Sequence, residues 1–454
     1  MLETFGTRQK MNPSSKTYQA RWLFPITGPP IENPCITVVD GIVVDISNRR
    51  QASVGPQASV DLGDVAVLPK LVNAHTHLEF SDCRRPIGEP GIALANWIGE
   101  VIRARGQADE SVRAANIASG LAESQNAGVE LIADIATTPS SYPEHAYASI
   151  VSFAEVLGLS QERGAERFQA ALLHSEASAR GHSACRIGES NLVPAISPHA
   201  PYSTPIALVQ RCVDWAAAKG CPVAMHLAES PDERELLTHG TGRFADSLQR
   251  AGLWVPGLFP LGKGAAGDAD QPILAYLQML AEAPLALVVH GNDLQDCEMQ
   301  FIAERRHMTV VYCPRTHHFF GYDAHPVGKL LEMGVRVALG TDSRASNPDL
   351  SIWEELRFLL SHRQDLAPSR VLEMATIMGA DSLGRGPASA ETPNEGARAF
   401  GCIQPGKTPF DSLMMIPTSA QHLAGVHADF AETDTSQLRF CTAIDSDAGH
   451  NDIG

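Results

Sequence analysis

Between residues 65 and 360 the chain alternates short apolar or β-branched runs with stretches of helical period, and this alternation constrains the fold more than anything else in the sequence. The runs are Val65–Leu68, Val129–Asp134, Ile150–Val156, Leu192–Ile196, Val223–His226, Leu285–His290, Thr309–Cys313 and Val335–Leu339. Amphipathic stretches such as Glu110–Ala127, Ile206–Lys219 and Asp293–Glu304 separate them, and Leu350–Leu360 follows the last. A strand that returns through a helix lies parallel to its predecessor, and eight such units favour closure over an open sheet. The reading is therefore α/β: a (β/α)8 TIM barrel, with a small β-sandwich domain built from both chain ends. Runs that are apolar throughout fit strands buried on both faces.

The flanks set the predicted boundaries. Residues 17–64 and 399–420 have strand and turn character, including a hairpin signal at Asp40-Gly41, and are expected to pair into the composite β-sandwich domain. Residues 65–398 form the barrel, interrupted by Gly/Pro-rich stretches at 257–271 and 384–398. Residues 1–16 contain no apolar run and read as a disordered N-terminus, not a secretory signal. Residues 421–454 carry six acids against one arginine and read as an acidic, solvated tail.

Composition narrows the partners. Lys+Arg 35 against Asp+Glu 52 gives a net charge of −17, which argues against nucleic acid and anionic membranes. Nine scattered cysteines with no CxxC pair suit reduced thiols in a cytoplasmic protein. The expected partner is a small-molecule substrate.

In such a barrel all the C-terminal strand ends face one mouth, so polar residues distant in sequence meet there. The first strand ends in Asn73-Ala74-His75-Thr76-His77, and residues two apart on extended chain share a side. The fifth ends in His226, the sixth in His290, and the eighth in Gly340-Thr341-Asp342. Alone, each has an ordinary explanation: a hydrogen-bonded core histidine, a turn, a helix cap. Together they place a ligand type at four of eight strand ends, which points to a site for Zn²⁺ or Fe²⁺ with room for water. Glu229, three residues past His226, either begins a helix or moves protons beside the metal.

The strings Leu68-Pro69-Lys70-Leu71-Val72-Asn73-Ala74-His75-Thr76-His77, His226-Leu227-Ala228-Glu229, Val289-His290-Gly291-Asn292, Cys313-Pro314-Arg315 and Leu339-Gly340-Thr341-Asp342-Ser343 resemble the amidohydrolase superfamily. The resemblance falls in the subgroup of cytosine deaminases and triazine chlorohydrolases, and is closest to aminodeoxyfutalosine and S-adenosylhomocysteine deaminases. It implies one divalent metal ion held by His75, His77, His226 and Asp342, with zinc favoured over iron or manganese. It implies Glu229 as proton shuttle, with His290 and Asp342 orienting the water. The fourth strand has no lysine to bridge a second ion. Candidate substrate contacts are His199, Glu79, Trp97, Arg315 and His317, and the assembly implied is a homodimer.

The expected activity is hydrolysis of a C–N bond other than a peptide bond, with deamination of a purine-type nucleoside derivative foremost. A triazine chlorohydrolase, a cyclic amide hydrolase and an inactive barrel scaffold are the alternatives.

Overall fold

The computed structural model describes residues 15–48, 59–105, 109–143, 148–180, 192–261, 271–389 and 398–442. Eight strands form one parallel sheet: β1 (Leu71–Thr76), β2 (Val129–Ala136), β3 (Ser149–Val156), β4 (Leu192–Pro198), β5 (Val223–Leu227), β6 (Ala286–His290), β7 (Met308–Tyr312) and β8 (Arg336–Leu339). They pair in sequence order, and a parallel bridge between Thr76 and Asp342 joins the last to the first. The closure is reinforced where the Thr341 and Asp342 amides donate to the His75 carbonyl at 3.0 and 3.1 Å. The fold is thus the (β/α)8 barrel with added sheets from the chain termini.

Alternation along the strands sorts the side chains into two layers. Val72, Ala74, Ala133, Phe153, Ala195, Ala224, Leu287, Val289, Val311 and Ala338 pack together inside the barrel. Their out-of-phase neighbours, including Ile132, Met225, Val288, Val310 and Leu339, meet the helices outside. Both layers are buried, which is why these strands read as continuous apolar runs.

The two ends of the chain do meet. Strand 413–417 pairs antiparallel with strand 65–69, in register Leu413 with Pro69, within a five-stranded sheet. A four-stranded sheet contains 15–19, 34–39, 42–48 and 59–61. Tyr18, Ile36, Val43, Val67, Phe410 and Leu413 form their shared core, with the Tyr18 and Phe410 rings stacked at 4.1 Å. The Asp40-Gly41 hairpin is present, with φ of 49° and 79°, the left-handed pair that a two-residue turn requires.

Three boundaries differ from the sequence reading. Val65–Leu68 belongs to the five-stranded sheet, and the first barrel strand begins at Leu71. Two adjacent apolar runs separated only by Lys70 look alike in sequence; only their partners distinguish them. Ser15 and Lys16 lie in the first strand of the small domain, while the rest of the predicted N-terminal segment falls outside the described residues. The segment from 421 is not a solvated tail up to 442. It contains a helix, Leu423–Glu432, whose Val426 and Phe430 are fully buried. The Phe430 ring packs 5.7 Å from Trp353, and the Trp353 indole donates to the Thr433 carbonyl at 2.7 Å. Two apolar residues four apart suffice to dock a short acidic helix. Residues 443–454 lie outside the described set, as do most of the two Gly/Pro-rich stretches (262–270 and 390–397).

Candidate metal centre and active site

Phase explains some of the site and backbone irregularity the rest. His226 follows Ala224 by two residues on β5 and shares its inward phase. His75 and His290 are out of phase with the inward-facing Ala74 and Val289. A register shift between Asn73 and Thr76 accompanies the first, and left-handed backbone at His290 (φ 72°) the second. Ala228 (φ 53°) and Asp342 (φ 57°) are left-handed too, so three of the strand ends carrying the site have backbone that non-glycine residues rarely adopt.

The side chains converge. Nitrogens of His75, His77 and His226 all lie within 4.8 Å of one another. His77 Nε2 and His226 Nε2 are 3.3 Å apart, and Asp342 Oδ1 stands 3.6 Å from Nε2 of both His75 and His77. His226 Nδ1 lies 2.8 Å from the His199 carbonyl; donating there leaves Nε2 with its lone pair facing the cluster. Asp342 Oδ2 accepts from the Ser346 hydroxyl at 2.9 Å, which holds the carboxylate with its other oxygen toward the histidines.

A divalent ion suits these residues. His75 is fully buried, and neither ring nitrogen has a hydrogen-bond partner. A buried polar atom without a partner is costly unless something else satisfies it. Burial pushes the His75, His77 and His226 pKa values down, that of His226 to about 4, so the imidazoles are neutral electron-pair donors at neutral pH. Three neutral imidazoles and one carboxylate form a donor set suited to zinc and to other divalent transition metals.

Glu229 and His290 lie beside this cluster. His290 Nε2 is 3.5 Å from Glu229 Oε1, and the His226 and His290 rings stack at 5.4 Å. Burial, then the like charge of Asp342, pushes the Glu229 carboxyl well above the ordinary range. The Asn292 amide donates to the Glu229 carbonyl at 2.9 Å. A cavity of about 270 Å³, lined by Pro231, Asn292, Asp293, Gly321, Tyr322 and Asp323, opens where these residues leave the strand ends.

The candidate substrate contacts separate into groups. His199 lies in the cluster, its ring 4.9 Å from that of His226 and its Nδ1 2.6 Å from the Ser203 hydroxyl, and burial pushes it down to about 4. Glu79 accepts from the Thr137 hydroxyl at 2.7 Å and from Arg105 at 2.6 Å. Trp97 donates to the Ala345 carbonyl at 3.3 Å and meets Phe320 edge-on. His317 packs among Tyr312, Tyr322 and His325, with its Nε2 buried and unpartnered. Arg315 is committed elsewhere: its guanidinium grips Asp349 at 2.6 and 2.9 Å and Glu355 at 2.7 Å.

Glu155, which the sequence reading passed over, is buried at the end of β3 with Oε1 3.9 Å from His199 Nε2. Its signal was available as an acid inside an apolar strand run.

A neutral-imidazole cluster at the mouth of a (β/α)8 barrel, with a buried carboxyl beside it, defines the class: a metal-dependent hydrolase acting on C–N bonds. Residues 66–389 match the amidohydrolase family, and the chain belongs to it. The aminodeoxyfutalosine deaminase of Deinococcus radiodurans is 30% identical over 365 residues, covering 77% of this chain and 81% of that protein. Among solved structures, the Helicobacter pylori aminofutalosine deaminase in complex with methylthio-coformycin superposes with a TM-score of 0.72 at 20% identity, over 92% of this chain and 96% of that one. A zinc-bound adenosine deaminase from Xanthomonas campestris gives 0.67 at 21%, over 93% and 90%. At those identities the structural likeness concerns the fold. No helix among the described residues is long and apolar enough to cross a membrane.

Proposed function

We propose that this protein deaminates an adenosine-type nucleoside derivative, with an aminodeoxyfutalosine-like molecule the leading substrate, using one zinc ion held by His75, His77, His226 and Asp342. The observation that carries the reading is the buried Glu229–His290 pair, 3.5 Å apart, beside three neutral histidines. When bound, the ion supplies a Lewis acid that brings the pKa of water from 15.7 toward about 7.

The protein residues then divide the proton work. Glu229, whose pKa is raised by burial, takes the proton of the attacking water and delivers it to the ring nitrogen next to the reacting carbon. As the C–N bond breaks and the added oxygen becomes a carbonyl, Glu229 takes that oxygen's remaining proton and gives it to the amine, which leaves as ammonia. His290 orients the water from its place beside Glu229, and Asp342, whose Oδ2 is held by the Ser346 hydroxyl, shares that task. Neutral His199 is positioned to hydrogen-bond the ring, with Glu79, Trp97 and His317 as further contacts. Arg315 drops out of this set because Asp349 and Glu355 hold it. The reading extends to a reducing cytoplasm, which the scattered cysteines with no CxxC pair support, and to a homodimer.

The test is ammonia release from adenosine, 5′-methylthioadenosine, S-adenosylhomocysteine and aminodeoxyfutalosine by the Zn²⁺-loaded protein. Release from at least one of them is expected. Chloride release from a chlorotriazine, with no ammonia from any nucleoside, would replace the proposal with a dechlorinating one.

A further inference from the structure

The metal-ligand loop has a structural gap that a residue on the next strand fills. His77 begins the 3-10 turn Leu78–Phe80, and its side chain caps no amide of that turn. It cannot do so while its imidazole serves the cluster. The Leu78 residue is fully buried, so its N–H needs a partner from within the protein. That partner is Asp134 on β2: the Leu78 amide donates to Asp134 Oδ1 at 2.9 Å.

Asp134 is itself held on its other oxygen. The Tyr142 hydroxyl donates to Asp134 Oδ2 at 2.7 Å. Tyr142 lies 2.8 Å from the Ser152 hydroxyl on β3, and Ser152 lies 2.9 Å from His174 Nε2 on the helix Gln161–Arg180. Asp134, Ser152 and His174 are all buried. A single directional assignment satisfies every link: His174 Nε2–H to Ser152, Ser152 O–H to Tyr142, Tyr142 O–H to the carboxylate. The chain of bonds thus runs from the barrel's outer helix layer, across two strands, to the amide next to His77.

We propose that Asp134 is a positioning residue for the metal centre, setting the direction of His77 through the Leu78 amide, and that Tyr142, Ser152 and His174 brace it. The proposal rests on His77 as a metal ligand. Outer residues that orient a ligand in this way influence metal affinity by about 10- to 100-fold.

The test measures Zn²⁺ affinity of the full-length protein by competition with a chelator, beside thermal unfolding of the metal-free form. Asp134→Ala is expected to weaken Zn²⁺ binding by about 10- to 100-fold. Asp134→Asn keeps an acceptor for Leu78 and its amide donates to Tyr142; the relay then reverses, with Tyr142 O–H to Ser152 and Ser152 O–H to His174 Nε2 in its other tautomer. It is expected to restore near-parental affinity. Tyr142→Phe keeps the Leu78 bond but removes the brace, and is expected to fall between the two; it also serves if Asp134→Ala does not fold. Parental affinity in Asp134→Ala or Tyr142→Phe, or a loss in Asp134→Asn equal to that in Asp134→Ala, would overturn the positioning role. A parental chain that binds no Zn²⁺ would instead sink the metal-site reading itself.

Discussion

The loops after β5 and β7 begin alike and end differently. Each leaves its strand through a proline-started helix with a charged residue nearby: Glu229 before Pro231, Arg315 after Pro314. Arg315 meets two carboxylates, Asp349 and Glu355, and Glu355 also accepts from the Asn347 amide at 2.6 Å. Glu229 has His290 at 3.5 Å and is pushed well above its ordinary pKa by burial and by the like charge of Asp342. A charge whose partners fully answer it is held in one state. A charge left uncompensated in a buried cleft can change state during a reaction. From sequence alone both are polar residues past a strand end.

The largest expected effect tests the uncompensated side. Glu229→Gln should lower turnover by about 10²- to 10⁴-fold, the usual range for a lost proton carrier, while bound metal and melting temperature hold. Ammonia-release kinetics beside metal analysis would show it; a loss below tenfold would erase the contrast. On the compensated side, Arg315→Ala leaves the buried Glu355 carboxylate, and the half-buried Asp349 beside it, without their cation and should cost about 3 kcal/mol of stability, chiefly through Glu355. Denaturant unfolding measures that. Unchanged stability with a sharply raised KM would return Arg315 to the substrate.

Removing the metal should affect the two loops unequally. At an ion concentration about a hundred times Kd, binding contributes about 2.7 kcal/mol, so chelation should lower the melting temperature. Arg315→Ala should keep that metal-dependent shift and His77→Ala should lose it.

The smallest effect is a pH slope. Glu233 on the helix after β5 accepts from the Ala228 amide at 2.8 Å, and burial pushes its carboxyl from 4.5 up to about 8. The folded state therefore holds a proton that the unfolded chain has released. Glu233's contribution is fully present below pH 4.5 and is lost as pH rises toward 8. Replacing it with Gln should flatten the fall in melting temperature across that window. A slope unchanged in Glu233→Gln would mean that other groups set it.

Much of the site was legible in the chain. His226 sits in phase with Ala224, and strand counting put His75 and His77 at the end of β1, although the inward turn of His75 needed the register shift between Asn73 and Thr76. The fate of Arg315 was not legible, because Asp349 and Glu355 lie 34 and 40 residues further on and nothing local links them. Asp134, Tyr142, Ser152 and His174 were missed for the same reason. Each is unremarkable by itself, and the hydrogen-bond chain exists only across strands. The helix Leu423–Glu432 was read as tail because net charge outweighed two apolar residues whose partner, Trp353, is distant in sequence.

The amino-acid sequence by itself determined the alternation of strands and helices, and with it the barrel and the order in which ligand types reach its mouth. These are periodic properties, set by which residues avoid water every second or every third to fourth position. Tertiary structure decided which apolar run became β1, how a register shift and left-handed backbone brought His75 and His290 into the cluster, and which charges were neutralised. Those outcomes depend on pairwise contacts between distant segments, where a shift of one residue changes the partner entirely.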